Sequence, residues 1–257
     1  MKIEQVAIQL YTLRDFCKTP ADIASTMKKC RQIGYRAVQA SALGPISEEE
    51  LLRILDGEGL TLCATHEPSD TLLNEPEKVV ERLGKLKCKY TAYPSPKGID
   101  LGSRAAVEEW IAKLDRAGAV LRGAGQVLTY HNHHHEFRRV DGDLIFDLIF
   151  DKTDPQNLGG EIDTYWVQYG GGNPVEWCEK LAGRLPLLHL KDYAVIEESK
   201  VTYAEIGAGN LDFPKIIAAA EKSGCEWFIV EQDTCPGDPF DSIKKSFDHI
   251  KTHLCAH

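Results

Sequence analysis

Short apolar runs rich in β-branched and aromatic residues recur about eight times along the chain, each followed by a longer stretch with apolar positions at helical spacing. The runs are Val6–Leu10, Ala37–Ala40, Leu60–Ala64, Tyr90–Tyr93, Val127–His131, Leu158–Ile162, Leu187–Leu190 and Trp227–Val230. Their length and polar boundaries predict strands. The stretches between them predict helices with recognisable ends. One starts near Pro20-Ala21-Asp22, with Pro where a helix tolerates it, and stops at Gly34. A second opens on Ser47-Glu48-Glu49-Glu50, a capping box in which the Ser hydroxyl and the Glu50 carboxylate can each serve a free backbone N–H. Further helices are expected over Glu75–Leu86, Arg104–Arg122, Asn173–Ala182, Phe213–Ser223 and Pro239–Leu254, with the short apolar segment Asp143–Phe150 as the remaining one.

Strict alternation of strand and helix forces parallel pairing through right-handed crossovers, which leaves a doubly wound sheet or a closed (β/α)8 barrel. Eight units in 257 residues favour the α/β barrel, a TIM barrel formed as one domain over residues 1–257. No Gly-rich fingerprint follows the first strand, where Leu10-Tyr11-Thr12-Leu13-Arg14 stands, so a dinucleotide-binding sheet loses its main support. The pieces Tyr93-Pro94-Ser95-Pro96-Lys97-Gly98 and Tyr169-Gly170-Gly171-Gly172-Asn173-Pro174 fall where strand-to-helix loops belong.

Composition narrows the partners. A net charge of −9 supplies neither the long-range attraction nor the basic stripe that nucleic acid or an anionic membrane surface requires. No apolar run approaches membrane-spanning length, and the start Met1-Lys2-Ile3-Glu4-Gln5 has no signal-peptide core, so the expected location is cytoplasmic. Eight cysteines without a Cys-x-x-Cys pair read as reduced, space-filling thiols.

The chemistry collects at strand ends. Tyr130-His131-Asn132-His133-His134-His135-Glu136 follows the fifth strand. Glu161-Ile162-Asp163-Thr164, His189-Leu190-Lys191-Asp192 and Glu231-Gln232-Asp233 follow the next three. In a parallel barrel those ends open onto one face, so segments far apart in sequence converge. Asp163, His189 and Glu231 supply two carboxylates and an imidazole, a ligand set suited to a divalent Mn, Zn, Co, Mg or Fe ion with positions left for substrate oxygens. Strand alternation puts His131 and His133 on one face, and one of them is the expected fourth ligand.

These residues, with Glu136-Phe137, Asp163-Thr164-Tyr165-Trp166, the Gly170-Gly171-Gly172-Asn173-Pro174 loop, Gln9-Leu10-Tyr11-Thr12-Leu13-Arg14 and Ala64-Thr65-His66, resemble the sugar phosphate isomerase/epimerase family of xylose-isomerase-like TIM barrels. The resemblance implies a divalent metal held from strands five to eight, with Asp163, His189 and Glu231 at the matching positions. His131 stands where sugar epimerases of that superfamily carry Glu, which removes one member of their two-glutamate acid/base pair. Spacing favours His131 as the strand-five ligand, with His133 and Glu136 as alternatives; whichever is free of metal becomes the general base.

The implied reaction is proton abstraction next to a carbonyl through a metal-stabilised ene-diolate, as in a sugar isomerase or epimerase. His133, Glu136, Glu231 and Lys191 are the expected catalytic groups. His66, Trp166 and Lys191 are expected to bind a small carbohydrate, and Glu161 to orient a ligand or pair inside the barrel. A lyase or dehydratase on a keto-sugar or keto-inositol, or a glycoside-eliminating enzyme, is the alternative on the same site. A non-catalytic sugar- or metal-binding barrel is the alternative of another class. The loop Gly207-Ala208-Gly209-Asn210 is either an anion site built from backbone N–H groups or a simple helix entry. Self-association into a homo-oligomer is left open.

Overall fold

In the computed structural model, described for residues 1–255, eight parallel strands close into a barrel. They are β1 (Val6–Gln9), β2 (Ala37–Ala40), β3 (Thr61–His66), β4 (Tyr90–Tyr93), β5 (Val127–His131), β6 (Leu158–Asp163), β7 (Leu187–Leu190) and β8 (Trp227–Val230). Each pairs with its neighbours in sequence, and β8 returns to β1 with Ala7 opposite Ile229. The eight runs expected from periodicity are therefore the eight barrel strands. β3 extends through His66 and β6 through Asp163, beyond their apolar portions.

Because strand side chains alternate faces, every second residue points into the barrel. The lowest interior layer is apolar and consists of Ala7, Ala37, Cys63, Ala64, Tyr90, Leu187 and Ile229 packed together. Two residues further along come Gln9, Gln39, His66, His189 and Glu231, joined by Glu161 of β6, all half-buried or buried. The outward-facing residues, such as Ile8, Val38, Leu128, Leu188 and Val230, belong to the large cluster between strands and helices.

Helix ends follow local sequence with informative exceptions. Pro20–Ile33 has the full capping box, supplied by Thr19 and Asp22, and ends at Gly34 with φ 130°. At Glu48–Glu58 only half of the expected box forms: Ser47 Oγ accepts from the Glu50 N–H at 3.2 Å, while the Glu50 carboxylate lies 3.6 Å from Arg53. The helix expected over Glu75–Leu86 runs from Pro76 to Lys85, and a separate helix, Ser69–Asn74, precedes it because Glu75 adopts φ −142°, ψ 51°. Asp143–Leu144 pairs with Arg139–Val140, and the apolar remainder forms the helix Ile145–Asp151. The final helix is regular over Pro239–His249 and widens to a π turn over Ile250–Leu254. A short helix Thr164–Tyr169 and an antiparallel hairpin, Asp192–Val195 with Val201–Ala204, were also not anticipated.

Among the described residues, no helix is long and apolar enough to cross a membrane. The eight cysteines are free and six are buried; burial pushes the Cys17 thiol up to about 11, away from nucleophilic use.

Candidate active site

The first polar layer is centred on Glu161, which has no exposed surface. Its Oε1 lies 2.5 Å from His66 Nε2, 3.1 Å from His189 Nε2 and 3.3 Å from His131 Nδ1. Its Oε2 accepts from Gln39 Nε2 at 2.6 Å. Burial would raise this carboxyl, but the imidazoles of His189 and His66 and hydrogen bonds from His131 and His189 hold it well below the usual carboxylate range. Of these partners only the histidines stood out in the sequence. Gln9 and Gln39 carried a weaker signal, a lone polar residue within each of the apolar runs VAIQ and AVQA.

One step toward the mouth the polarity inverts. Lys191, 1% exposed, places Nζ 3.1 Å from Asp163 Oδ2, 2.9 Å from Glu231 Oε2 and 2.9 Å from Asp233 Oδ1. Burial would lower its pKa, yet these three carboxylates hold it well above the ordinary lysine value. Lys191 is thus not paired with its neighbour Asp192.

His189 joins the two layers, with Nδ1 2.9 Å from Glu231 Oε2 and Nε2 2.7 Å from Gln39 Oε1. In the protein alone, burial opposes its charge, but Glu161 and Glu231 on either side push its pKa up to about 10. His131 goes the other way, lowered to about 3 by burial and by the nearby His189.

Asp163 serves two roles at once. Its Oδ1 accepts from the Trp166 N–H at 2.9 Å and caps the helix Thr164–Tyr169, while Oδ2 faces Lys191 Nζ. Asn132, buried between two histidines, clamps the Asp163 backbone, its side-chain oxygen accepting from the Asp163 N–H at 2.9 Å.

His131 and His133 lie on one side, as alternation predicts, with ring centroids 4.9 Å apart. Both line a cleft of about 360 Å³ together with His66, Trp166, Lys191 and Glu231. Glu136 is withdrawn from it: its Oε1 accepts from Tyr130 Oη at 2.7 Å and its Oε2 from the His133 N–H at 3.0 Å. Burial lifts the Glu136 carboxyl to about 7. The glycine loop after Tyr169 packs against the same segment, since a Cβ at Gly170 or Gly172 would collide with the Phe137 ring.

The loop Gly207-Ala208-Gly209-Asn210 does hold an anion, and it is the chain's own. Asp192 Oδ2 accepts from the Gly207 and Gly209 N–H groups at 2.9 Å each, and Oδ1 from Leu211 at 3.3 Å. A Cβ at Gly209 would strike that carboxylate, so glycine is required there for close approach.

His131, Asp163, His189 and Glu231 are all buried and offer ligand atoms within 4.8 Å of one another. The set fits a divalent cation. It combines two imidazoles with two carboxylates, and Asp163 Oδ2, fully buried, has the Lys191 ammonium 3.1 Å away but no well-directed hydrogen bond among the described residues. His133 groups instead with His135 and Glu136.

The model of the xylose isomerase-like TIM barrel family matches residues 27–253. The chain belongs to that family. Among curated relatives, this xylose isomerase-like barrel is 27% identical over 164 residues to an inosose dehydratase of Geobacillus thermodenitrificans, covering 56% of this chain and 54% of that protein. It is 28% identical over 164 residues to an inosose dehydratase of Clostridium beijerinckii, with the same coverage. The chain thus spans about half the length of these relatives. A solved sugar phosphate isomerase/epimerase from Parabacteroides distasonis superposes with a TM-score of 0.84 at 22% identity, over 99% of this chain and 96% of that one. An L-ribulose 3-epimerase superposes with a TM-score of 0.75 at 14% identity, over 98% and 94%. At these identities the structural likeness concerns the fold.

Proposed function

We propose that this barrel removes a proton from a carbon next to the carbonyl of a keto-sugar or keto-polyol and expels an oxygen substituent from the carbon beyond, as a dehydratase-type lyase. The observation that carries this reading is one-sided: His133 is the base that faces the cleft with a buried Nδ1 lacking any hydrogen-bond partner among the described residues. Burial, together with the positive charge of Lys191, holds its pKa well below the ordinary value, so the ring is a neutral acceptor at physiological pH. A carboxylate at the β5 position, which would supply a second base for epimerisation, is absent because His131 stands there. Glu136 has both oxygens engaged elsewhere.

His131, Asp163, His189 and Glu231 would hold the divalent cation. When bound, such a cation supplies Lewis acidity to the substrate carbonyl and offsets the negative charge that develops on its oxygen. The protein's own groups do the rest. Trp166, whose ring centroid lies 5.4 Å from that of His133, walls the cleft against a sugar face. Lys191 fixes the orientation of Asp163 and Glu231. His133 takes the carbon-bound proton, the C–H electron pair becomes the new double bond, and the imidazolium returns that proton to the oxygen leaving from the same face. Water departs and the imidazole is neutral again. The inosose dehydratase relatives support this reading.

The second reading is a proton shift between adjacent carbons, in the manner of a sugar isomerase. It draws on the same His133 geometry, because one base on one face can remove a proton and restore it one carbon away.

The test incubates the protein with an inosose and Mn²⁺ or Co²⁺ and follows both water loss and solvent deuterium in the recovered substrate. Loss of water with a conjugated product is expected, and His133→Ala should reduce its rate about 10²–10⁴-fold. Deuterium exchange without water loss would move the assignment to the isomerase reading; neither outcome with an inosose or with a panel of keto-sugars would overturn both.

A further inference from the structure

We infer that Glu161 and Gln39 are positioning residues that set the tautomer of His189, keeping its proton on Nε2 so that the Nδ1 lone pair is presented toward Asp163 and Glu231. The inference rests on the cation reading of the upper residues and concerns groups below them.

Glu161 Oε2 lies 2.6 Å from one end of the Gln39 amide. A carboxylate only accepts, so the amide nitrogen must occupy that end. The amide oxygen then faces His189 Nε2 at 2.7 Å, and the second Glu161 oxygen faces the same nitrogen at 3.1 Å. Both are acceptors. Gln9 Nε2 reinforces the arrangement by donating to the same Gln39 oxygen at 3.0 Å. Everything the floor offers His189 Nε2 accepts a proton, and an imidazole in the neutral form has one to give. Nδ1, 2.9 Å from Glu231 Oε2 and 3.8 Å from Asp163 Oδ2, is left as the donor atom to a cation. The three floor residues sit on β1, β2 and β6, rigid elements suited to holding a ring within the narrow angular range that coordination demands.

Glu161→Gln keeps the volume but introduces an NH₂ group that can donate to Nε2, which inverts the tautomer. Co²⁺ titration followed by visible absorption tests this on wild type, Glu161→Gln and Glu161→Asp, with thermal melts of each as folding controls. Glu161→Gln should weaken Co²⁺ binding on the order of 10–100-fold and alter the visible band of the loaded protein. Glu161→Asp, which is still acceptor-only, should recover the wild-type band. Gln39→Met removes both the amide acceptor facing His189 and the amide donor to Glu161 and should weaken binding in the same direction; it keeps the test valid should Glu161→Gln fail to fold. Equal Co²⁺ affinity in wild type, Glu161→Gln and Gln39→Met would overturn this inference while leaving the cation reading intact. Absence of Co²⁺ binding by wild type would overturn both.

Discussion

Two charge cages lie one above the other inside this barrel, and they are opposite in sign. In the lower one a carboxylate, Glu161, is surrounded by imidazole and amide nitrogens from His66, His131, His189 and Gln39. In the upper one an ammonium, Lys191, is surrounded by the carboxylates Asp163, Glu231 and Asp233. Burying a single ion costs several kcal/mol unless it is compensated by well-placed partners, and each cage compensates its own. Their boundary is His189, whose two ring nitrogens face one cage each. The lower cage accepts protons only from its ring of donors and has little freedom to change. The upper cage holds an excess of negative charge around one lysine, and that excess is what suits it to a divalent cation.

The upper cage depends most on Lys191. Replacing it by Met leaves three carboxylates crowded without their ammonium, and urea unfolding should show a loss of about 3–5 kcal/mol. Saturating Mn²⁺ should then raise the midpoint of Lys191→Met more than that of wild type, since the cation takes over the neutralisation. Unchanged stability in Lys191→Met would mean the upper cage does not act as a unit.

Asp192 offers a reference outside both cages. Asp192→Asn replaces a carboxylate oxygen by a donor and leaves at least one of the Gly207, Gly209 and Leu211 N–H groups unpaired, at a cost of about 1–3 kcal/mol. Faster hydrogen exchange confined to residues 207–211 is the expected signature, with Co²⁺ affinity unaltered. Coupling through His189 is the next smaller effect. A double-mutant cycle of Lys191→Met with Glu161→Gln should give an interaction energy of about 0.5–3 kcal/mol, and strict additivity would separate the cages.

The smallest expected effect is one of pH. Burial lifts the Glu136 carboxyl from 4.5 to about 7, so the folded protein favours the protonated form. Wild type should lose stability as pH rises from about 4.5 to about 7, the range in which the unfolded chain is already ionised. Glu136→Gln has no such dependence. The thermal midpoint of wild type relative to Glu136→Gln should therefore fall across that range, and a constant difference would show that Tyr130 and the His133 N–H fully offset the burial.

Much of this arrangement was legible beforehand, for a local reason. The strand runs, Gly34 as a helix stop and the convergence of Asp163, His189 and Glu231 with an imidazole of the His131/His133 pair follow from periodicity and from the shared face of a parallel barrel. Elements that depend on contacts with distant chain were not legible. The hairpin Asp192–Val195 with Val201–Ala204 lies half-exposed over the barrel, so it lacks the apolar run that marks a core strand. The glycine-rich loop at 207–210 looked equally suited to an external anion, because nothing local indicates that Asp192 reaches it first.

The sequence by itself determined the order of strands and helices and which chemical groups stand at each strand end, since both are set by side-chain alternation and by capping within a few residues. Only the tertiary structure decided which of those groups meet. Glu161 finds Gln39 across 122 positions, and Lys191 turns from its neighbour Asp192 toward Asp163, Glu231 and Asp233. Those partners are selected by closure of the barrel and by the stagger between strands, and ionic and hydrogen-bonding preferences are too short in range to choose among them until closure has brought the candidates together.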